Sequence, residues 1–299
     1  MKGDPDHILI RGNSSIVKLN LITGDEIRMP GRRPRHQYLV ADREHNVRFG
    51  SNRSSGFSVI DNNFTAYYRK TVGSEWQELY DYNISFGLGK KGKNNQERPF
   101  VFEGFTADPN IIYISSEDEN YKKSLFKYHV DNKKIIEKVA SHEKFNLSGF
   151  SFDEEYNLEK YYYIDERPQI VRVGENGSRL TNIFSKNFAN SVVRIQSKSD
   201  DNNRMIIKVS SPIDPGTYYL FDQSSMKIEM LSFNYQKLDT SQLSEMKPIS
   251  YLARDGLVIN GYLSIPNGSD EKNIPAVVMP HDWPGNSDIW GFNYLVQFL

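Results

Sequence analysis

The 299-residue sequence contains no cysteine. That excludes disulfides, thiolate metal sites and a cysteine nucleophile, and it leaves the compartment open between cytoplasm and a bacterial periplasm. No apolar run approaches the length of a membrane span. The opening residues Met1-Lys2-Gly3-Asp4-Pro5-Asp6 lack the apolar stretch of a secretory signal, so no signal peptide is expected in the chain as it stands. An excess of one charge is also missing. Lys and Arg number 37 against 38 Asp and Glu, a formal net charge of −1, so no global field draws the protein to nucleic acid or anionic lipid. His7, His36, His45, His129 and His142 lack paired ligand spacing, and neither a metal nor a cofactor is expected.

Aromatic residues are abundant. Eighteen Tyr and seventeen Phe suit sheet faces, where flat rings pack across strands. Residues 1–247 read as short strands separated by turns, and five similar hairpins recur. Ile16–Leu21 turns at Thr23-Gly24-Asp25 and returns from Glu26. Ala66–Lys70 turns around Gly73 and returns through Trp76–Tyr80. Ser124–Val130 turns at Asp131-Asn132 and returns from Lys134. Gln169–Val173 is expected to turn at Glu175-Asn176-Gly177 and return at Arg179-Leu180. Thr217–Asp222 turns at Gln223-Ser224-Ser225 and returns through Lys227–Leu231. Further strands are expected at His7–Ile10, Ile111–Ser115 and Met205–Val209, ahead of three of these hairpins. The turns recur every 45 to 60 residues or so, the period of four-stranded propeller blades. One blade cannot bury both its faces, so radial stacking is the physical solution, with an irregular β-sandwich as the alternative.

The pattern changes near residue 248. Pro248–Ala253 alternates like a strand, Arg254-Asp255-Gly256 supplies a turn, and Leu257–Ile265 forms the return. Ile274-Pro275-Ala276-Val277-Val278-Met279 is almost purely apolar and predicts a strand buried on both faces, as in an α/β sheet. Trp290, Tyr294, Leu295, Phe298 and Leu299 then follow helical spacing. A second domain is therefore expected to begin here without room to finish.

Residues 205–299 resemble the prolyl oligopeptidase family of serine peptidases, in its acylaminoacyl-peptidase and dipeptidyl-aminopeptidase-like branch. Ser210-Ser211-Pro212-Ile213-Asp214-Pro215-Gly216 through Asp222 is similar to that family's final blade. Met246–Tyr251, Ala253–Leu257 and Gly261-Tyr262-Leu263 are similar to its crossover into the hydrolase domain. Pro275–His281, Pro284, Trp290-Gly291-Phe292 and Gln297–Leu299 are similar to the hydrolase strand, the oxyanion-side loop and the first helix. Tyr38–Asp42 with Val47-Arg48 fits the family's propeller more loosely. The resemblance implies a cleaver of short peptides, with a propeller that caps the active site and a Ser-Asp-His triad in the hydrolase domain. The chemistry implied is acyl transfer, with serine attacking, histidine carrying the proton and backbone amides holding the oxyanion.

The residues that such chemistry requires are not all here. No Gly-x-Ser-x-Gly elbow occurs, and in this fold Ser, Asp and His follow the helix at which the sequence stops. No catalytic residue is therefore assigned. His281 precedes any such nucleophile, and the resemblance makes His281-Asp282-Trp283-Pro284 the oxyanion-side loop, with Asp and Trp in place of the family's two glycines. Gly87-Leu88-Gly89-Lys90-Lys91-Gly92-Lys93-Asn94 matches glycine-rich phosphate loops, but the polar Asn95–Pro99 after it offers no helix to face a phosphate, so a basic loop is expected. Arg32-Arg33-Pro34-Arg35-His36, Glu154-Glu155 and Asp200-Asp201 read as solvated turn or loop residues. Triplets such as Asn13-Ser14-Ser15 and Asn176-Gly177-Ser178 reflect composition rather than glycosylation.

The expected fold is mainly β: a β-propeller of about five recognisable blades over 1–247, followed over 248–299 by the truncated start of an α/β-hydrolase domain. The expected function is that of a fragment of a serine peptidase whose full-length form cleaves short peptides. The propeller would gate access, and the chain alone would be inactive. The alternative is a non-catalytic β-propeller that binds a peptide or protein. Open blade faces and the unpaired apolar strand at Ala276–Met279 lead us to expect self-association, with neither nucleic acid nor membrane as a partner.

Overall fold

A computed structural model of the chain describes residues 4–11, 16–28, 38–55, 61–85, 88–89, 100–269, 272–281 and 287–299. These fall into two compact units, Met1–Leu158 and Glu159–Leu299. That division concerns compactness and does not bear on the expected change of domain at 247/248.

The first unit is built from antiparallel meanders. β1 (His7–Arg11), β2 (Ile16–Asn20) and β3 (Glu26–Arg28) form the first. β4 (Tyr38–Ala41), β5 (Val47–Ser55), β6 (Asp61–Tyr68), β7 (Gln77–Ser85) and the short β8 (Leu88–Gly89) form the second. β9 (Val101–Phe105), β10 (Ile111–Glu117), β11 (Lys123–His129) and β12 (Lys134–Ala140) form the third, and β13 (Leu147–Phe152) closes the unit's strand list. In β10 four successive residues, Ile112 to Ser115, are buried, as befits a strand covered on both faces. The core gathers Phe49, Tyr68, Tyr80, Phe100, Phe105, Ile112, Ile114, Phe126 and Tyr128. Its rings meet in preferred geometries: Phe49 stacks on Phe102 at 4.1 Å, and Tyr80 meets Phe100 edge-on at 5.4 Å.

The second unit holds β14 (Leu158–Ile164) paired with β15 (Pro168–Arg172), and helix α1 (Gly174–Asn187). The four-stranded meander β16 (Val192–Lys198), β17 (Arg204–Ser211), β18 (Asp214–Asp222) and β19 (Lys227–Phe233) follows. Strict alternation in β17 buries Met205, Ile207 and Val209 against Leu180 and Phe184 of α1 and against Phe221. The hairpin of β20 (Met246–Leu252) and β21 (Val258–Ser264) comes next, and helix α2 (Tyr294–Phe298) is last. The chain is mainly β, and its five successive meanders, the fourth in 147–172, have the topology of β-propeller blades.

One loop design recurs between strands. Asp42, Asp118 and Asp153 each begin a five-residue loop whose fourth residue is left-handed: His45 at φ 66°, Tyr121 at 59° and Tyr156 at 65°. In each loop the aspartate accepts two backbone N–H groups on Oδ1, from Glu44 and Asn46, from Asn120 and Lys122, and from Glu155 and Asn157. A short acceptor side chain thus does locally what a longer ladder would do.

Four of the five hairpins stand where the sequence places them, and three expectations need correction. The hairpin expected at Gln169–Leu180 does not form. Its intended return strand is helix α1, because Leu180, Ile183 and Phe184 fall on one helical face and pack into the β17–β18 core. The hairpin of this region lies upstream, as β14 and β15. The strand expected at Ile274–Met279 is an exposed, unpaired stretch: Val278 is 88% exposed. An apolar run becomes a buried strand only when flanking strands accept its backbone, and no described strand does so here. The terminal helix is shorter than its periodicity suggests, and Trp290 lies before it as a core residue.

Candidate functional site

Of the expected oxyanion-side loop, only His281 lies within the described residues; Asp282, Trp283 and Pro284 lie outside them. His281 is exposed at the end of the unpaired apolar stretch. The phosphate-loop-like segment is described only at Leu88–Gly89, and Arg32–His36 lies outside the described residues. Glu154 and Glu155 sit exposed in the Asp153 loop, as the sequence suggests. Asp201 likewise serves its own turn, accepting from Ser199 Oγ at 2.5 Å and from the Asn203 backbone at 3.0 Å, and these bonds hold its carboxyl below the usual carboxylate range. His129 and His142 are turn residues too, their Nδ1 atoms accepting backbone N–H groups of Asn132, Lys144 and Phe145. No group of three or more acidic or histidine side chains that could hold a metal occurs among the described residues.

The segments most similar to the peptidase family are, by contrast, tied together within the second unit. Gln297 of α2 faces the strand connection ahead of β20. Its Oε1 accepts the Ser244 N–H at 2.8 Å, and its Nε2 donates to the Ser244 carbonyl at 2.8 Å and the Pro212 carbonyl at 3.2 Å. Pro212, between β17 and β18, is fully buried. Asn267 repeats the device, donating to the carbonyls of Leu243 at 2.8 Å and Ser241 at 3.3 Å. Asp239 caps the short 3-10 turn Thr240–Gln242 through the Ser241 N–H at 3.0 Å.

Trp290 is the second anchor. It is 3% exposed, packs with Val192, Met246, Ile170 and Tyr262, and donates Nε1–H to the Met246 carbonyl at 2.8 Å. Tyr262 donates its hydroxyl to the Glu166 carbonyl at 2.9 Å, and burial pushes its phenol pKa up. The Arg167 guanidinium lies over the Trp290 ring at 4.7 Å. These contacts fix the chain on either side of β20–β21. What they supply is placement: side-chain amides and an indole hold backbone carbonyls, and none of these groups is placed to act as an acid, a base or a nucleophile.

Arg167 is a residue that sequence reasoning does not single out, and Trp290 and Gln297 appear there only as members of family-like segments, without the contacts they make. The signal for Trp290, one of three tryptophans, was its place in the family-like segment Trp290-Gly291-Phe292. Gln297 stood in the family-like segment Gln297–Leu299, but nothing in the sequence pointed to its partners, backbone atoms 53 and 85 residues away.

No protein-family profile matches this chain, and no curated protein matches it in sequence. Its neighbours among solved structures are prolyl oligopeptidase and dipeptidyl aminopeptidase IV family members. A protein from Bacteroides ovatus described as a dipeptidyl aminopeptidase IV is 15% identical, with a TM-score of 0.44 over 86% of this chain and 38% of that one. Prolyl oligopeptidase B from Galerina marginata is 12% identical, with a TM-score of 0.47 over 89% of this chain and 38% of that one. The chain thus spans under two-fifths of the length of the structures it matches.

Proposed function

We propose that the chain is the propeller portion, residues 1–247, and the beginning of the hydrolase domain, residues 248–299, of a prolyl-oligopeptidase-family serine peptidase. In its full-length form that enzyme would cleave short peptides, with the propeller gating access to the active site. The observation that carries this reading is the ordered run of family-like segments from Ser210 to Leu299, with Gln297 bonded to the backbone of Ser244 and Pro212 and Trp290 bonded to that of Met246. Two pairs of family-like segments far apart in sequence are thus joined by hydrogen bonds, Gln297 to Pro212 and Trp290 to Met246. These 299 residues include no Gly-x-Ser-x-Gly elbow, so the chain alone should be inert toward peptides.

A fluorophosphonate probe tests this directly. No serine of the 299-residue chain should be labelled, and stoichiometric labelling of one serine would contradict the assignment. The reading frame beyond the Leu299 codon supplies the complementary test: an elbow followed by Asp and His is expected there, and an unrelated continuation would remove the peptidase reading.

A further inference from the structure

A concave pocket of about 210 Å³ opens in the second unit beside Trp290, lined among others by Arg167, Gln169, Phe188, Asn190, Val192 and Trp290. One wall is apolar, made by the buried Trp290 and Val192 with Phe188. Nitrogen donors line the rest, and one of them, the Arg167 guanidinium, lies over the Trp290 ring at 4.7 Å. Arg167 is half-buried in the β14–β15 turn, and its Nη1 donates to Asn190 Oδ1 at 3.0 Å. Its remaining guanidinium donors bond no described side chain, and it forms no ion pair with a described carboxylate, although Asp165 and Glu166 precede it in the same turn. The bond from Arg167 leaves the Asn190 amide nitrogen as a further donor. Gln169 Nε2 is already committed to the Arg167 carbonyl at 3.3 Å.

Half-buried and stacked on Trp290, the Arg167 guanidinium keeps donors that make no described side-chain bond beside an apolar residue, Phe188. We propose that this pocket binds a small monocarboxylate with an apolar body. The guanidinium, stacked on Trp290, takes the carboxylate in its planar fork, and the partly exposed Phe188 covers the hydrocarbon. The volume lies below the range of drug-sized sites and suits a molecule of amino-acid size. A single cation beside two exposed acidic residues fits a monoanion better than a phosphate dianion. The site does not rest on the peptidase reading, because Arg167, Phe188 and Asn190 belong to no family-like segment and Trp290 enters it through its contacts alone.

The opposing influence is the C-terminal end of α1, whose last carbonyls favour a cation. That contrast sets the experiment: titrate the 299-residue chain with 3-phenylpropionate, with phenethylamine and with phenyl phosphate, by calorimetry and tryptophan fluorescence. The acid should bind and perturb Trp290, and the amine should not. Arg167→Met should weaken binding of the acid roughly tenfold or more, with an unchanged circular dichroism spectrum. Arg167→Lys should recover only part of it. Equal binding of the amine, tighter binding of phenyl phosphate, unchanged affinity in Arg167→Met, or no binding of the acid would each overturn the proposal. If Arg167→Met fails to fold, Asn190→Ala takes its place, and an unchanged affinity there counts equally against the site.

Discussion

Tyr68 shows how much of the first unit's stability rests on single polar side chains. It is fully buried, donates to the Pro109 carbonyl at 2.8 Å and accepts from Arg48, whose guanidinium also reaches Asp42 at 3.3 Å and the Arg69 carbonyl at 3.3 Å. Burial pushes the Tyr68 phenol up to about 12, against an opposing pull from Arg48. The folded state therefore holds this proton more tightly than the unfolded chain does. Its contribution is intact below the unfolded value of 10.0 and is lost as pH rises from there toward about 12. Urea midpoints measured across that window should fall for the native chain and fall less for Tyr68→Phe. At neutral pH Tyr68→Phe should cost about 1–2 kcal/mol, because Arg48 loses an acceptor and Pro109 a donor. Gln297 allows a second residue-scale prediction. Gln297→Ala removes three bonds to backbone, so exchange of the Ser244 amide should accelerate about tenfold or more. Unchanged protection would show that the C-terminal helix is held by Trp290 alone.

At the scale of elements, hairpins were legible in the sequence because their signals are local. Asp131-Asn132 and Thr23-Gly24-Asp25 announce their turns, and alternation announces the strands on either side. Helix α1 was obscured by the same kind of signal, since Glu175-Asn176-Gly177 looks like a turn. What decided the outcome was the docking of Leu180 and Phe184 on Met205, Ile207 and Phe221, contacts that no local window contains. The same distinction governs the site. The loop at His281 and the segment Gln297–Leu299 were singled out by resemblance, whereas the bonds of Gln297 and Asn267 go to backbone atoms and leave no pattern of side-chain types. Gly216, in the turn-like start of β18, gives a direct test of element geometry. It sits at φ +138°, and a Cβ added there would lie 2.2 Å from the Lys208 side chain and 2.8 Å from Asn234, which itself donates to the Pro215 carbonyl. Gly216→Ala should therefore destabilise the protein by about 2 kcal/mol, because the backbone strain remains even if Lys208 swings away. Thermal denaturation would measure the loss, and an unchanged midpoint would mean that the β18 start can relax.

For the whole molecule, the composition that makes blades also leaves apolar surface to be covered. In the second unit Leu252 is 71% exposed, Val277 65%, Val278 88% and Phe298 85%. The β20–β21 hairpin pairs with no further strand among the described residues. Unpaired strand edges and apolar stretches without charge recruit other chains, and Ile274–Pro280 carries none. We propose that this surface drives self-association, by edge pairing or by apolar contact around Val277 and Val278. Light scattering should then show a mass that rises with concentration. The double substitution Val277→Lys with Val278→Lys should lower that mass without changing the circular dichroism spectrum, since both side chains are exposed and contribute little to the core. The charge should also make any residual association depend on salt, strengthening as screening shortens the range of the added lysines. A monodisperse monomer at every concentration would place the apolar stretch in the category of tolerated exposure. A double-lysine variant that associates as strongly as the parent would move the contact to the hairpin edge, where Leu252→Lys is the corresponding test.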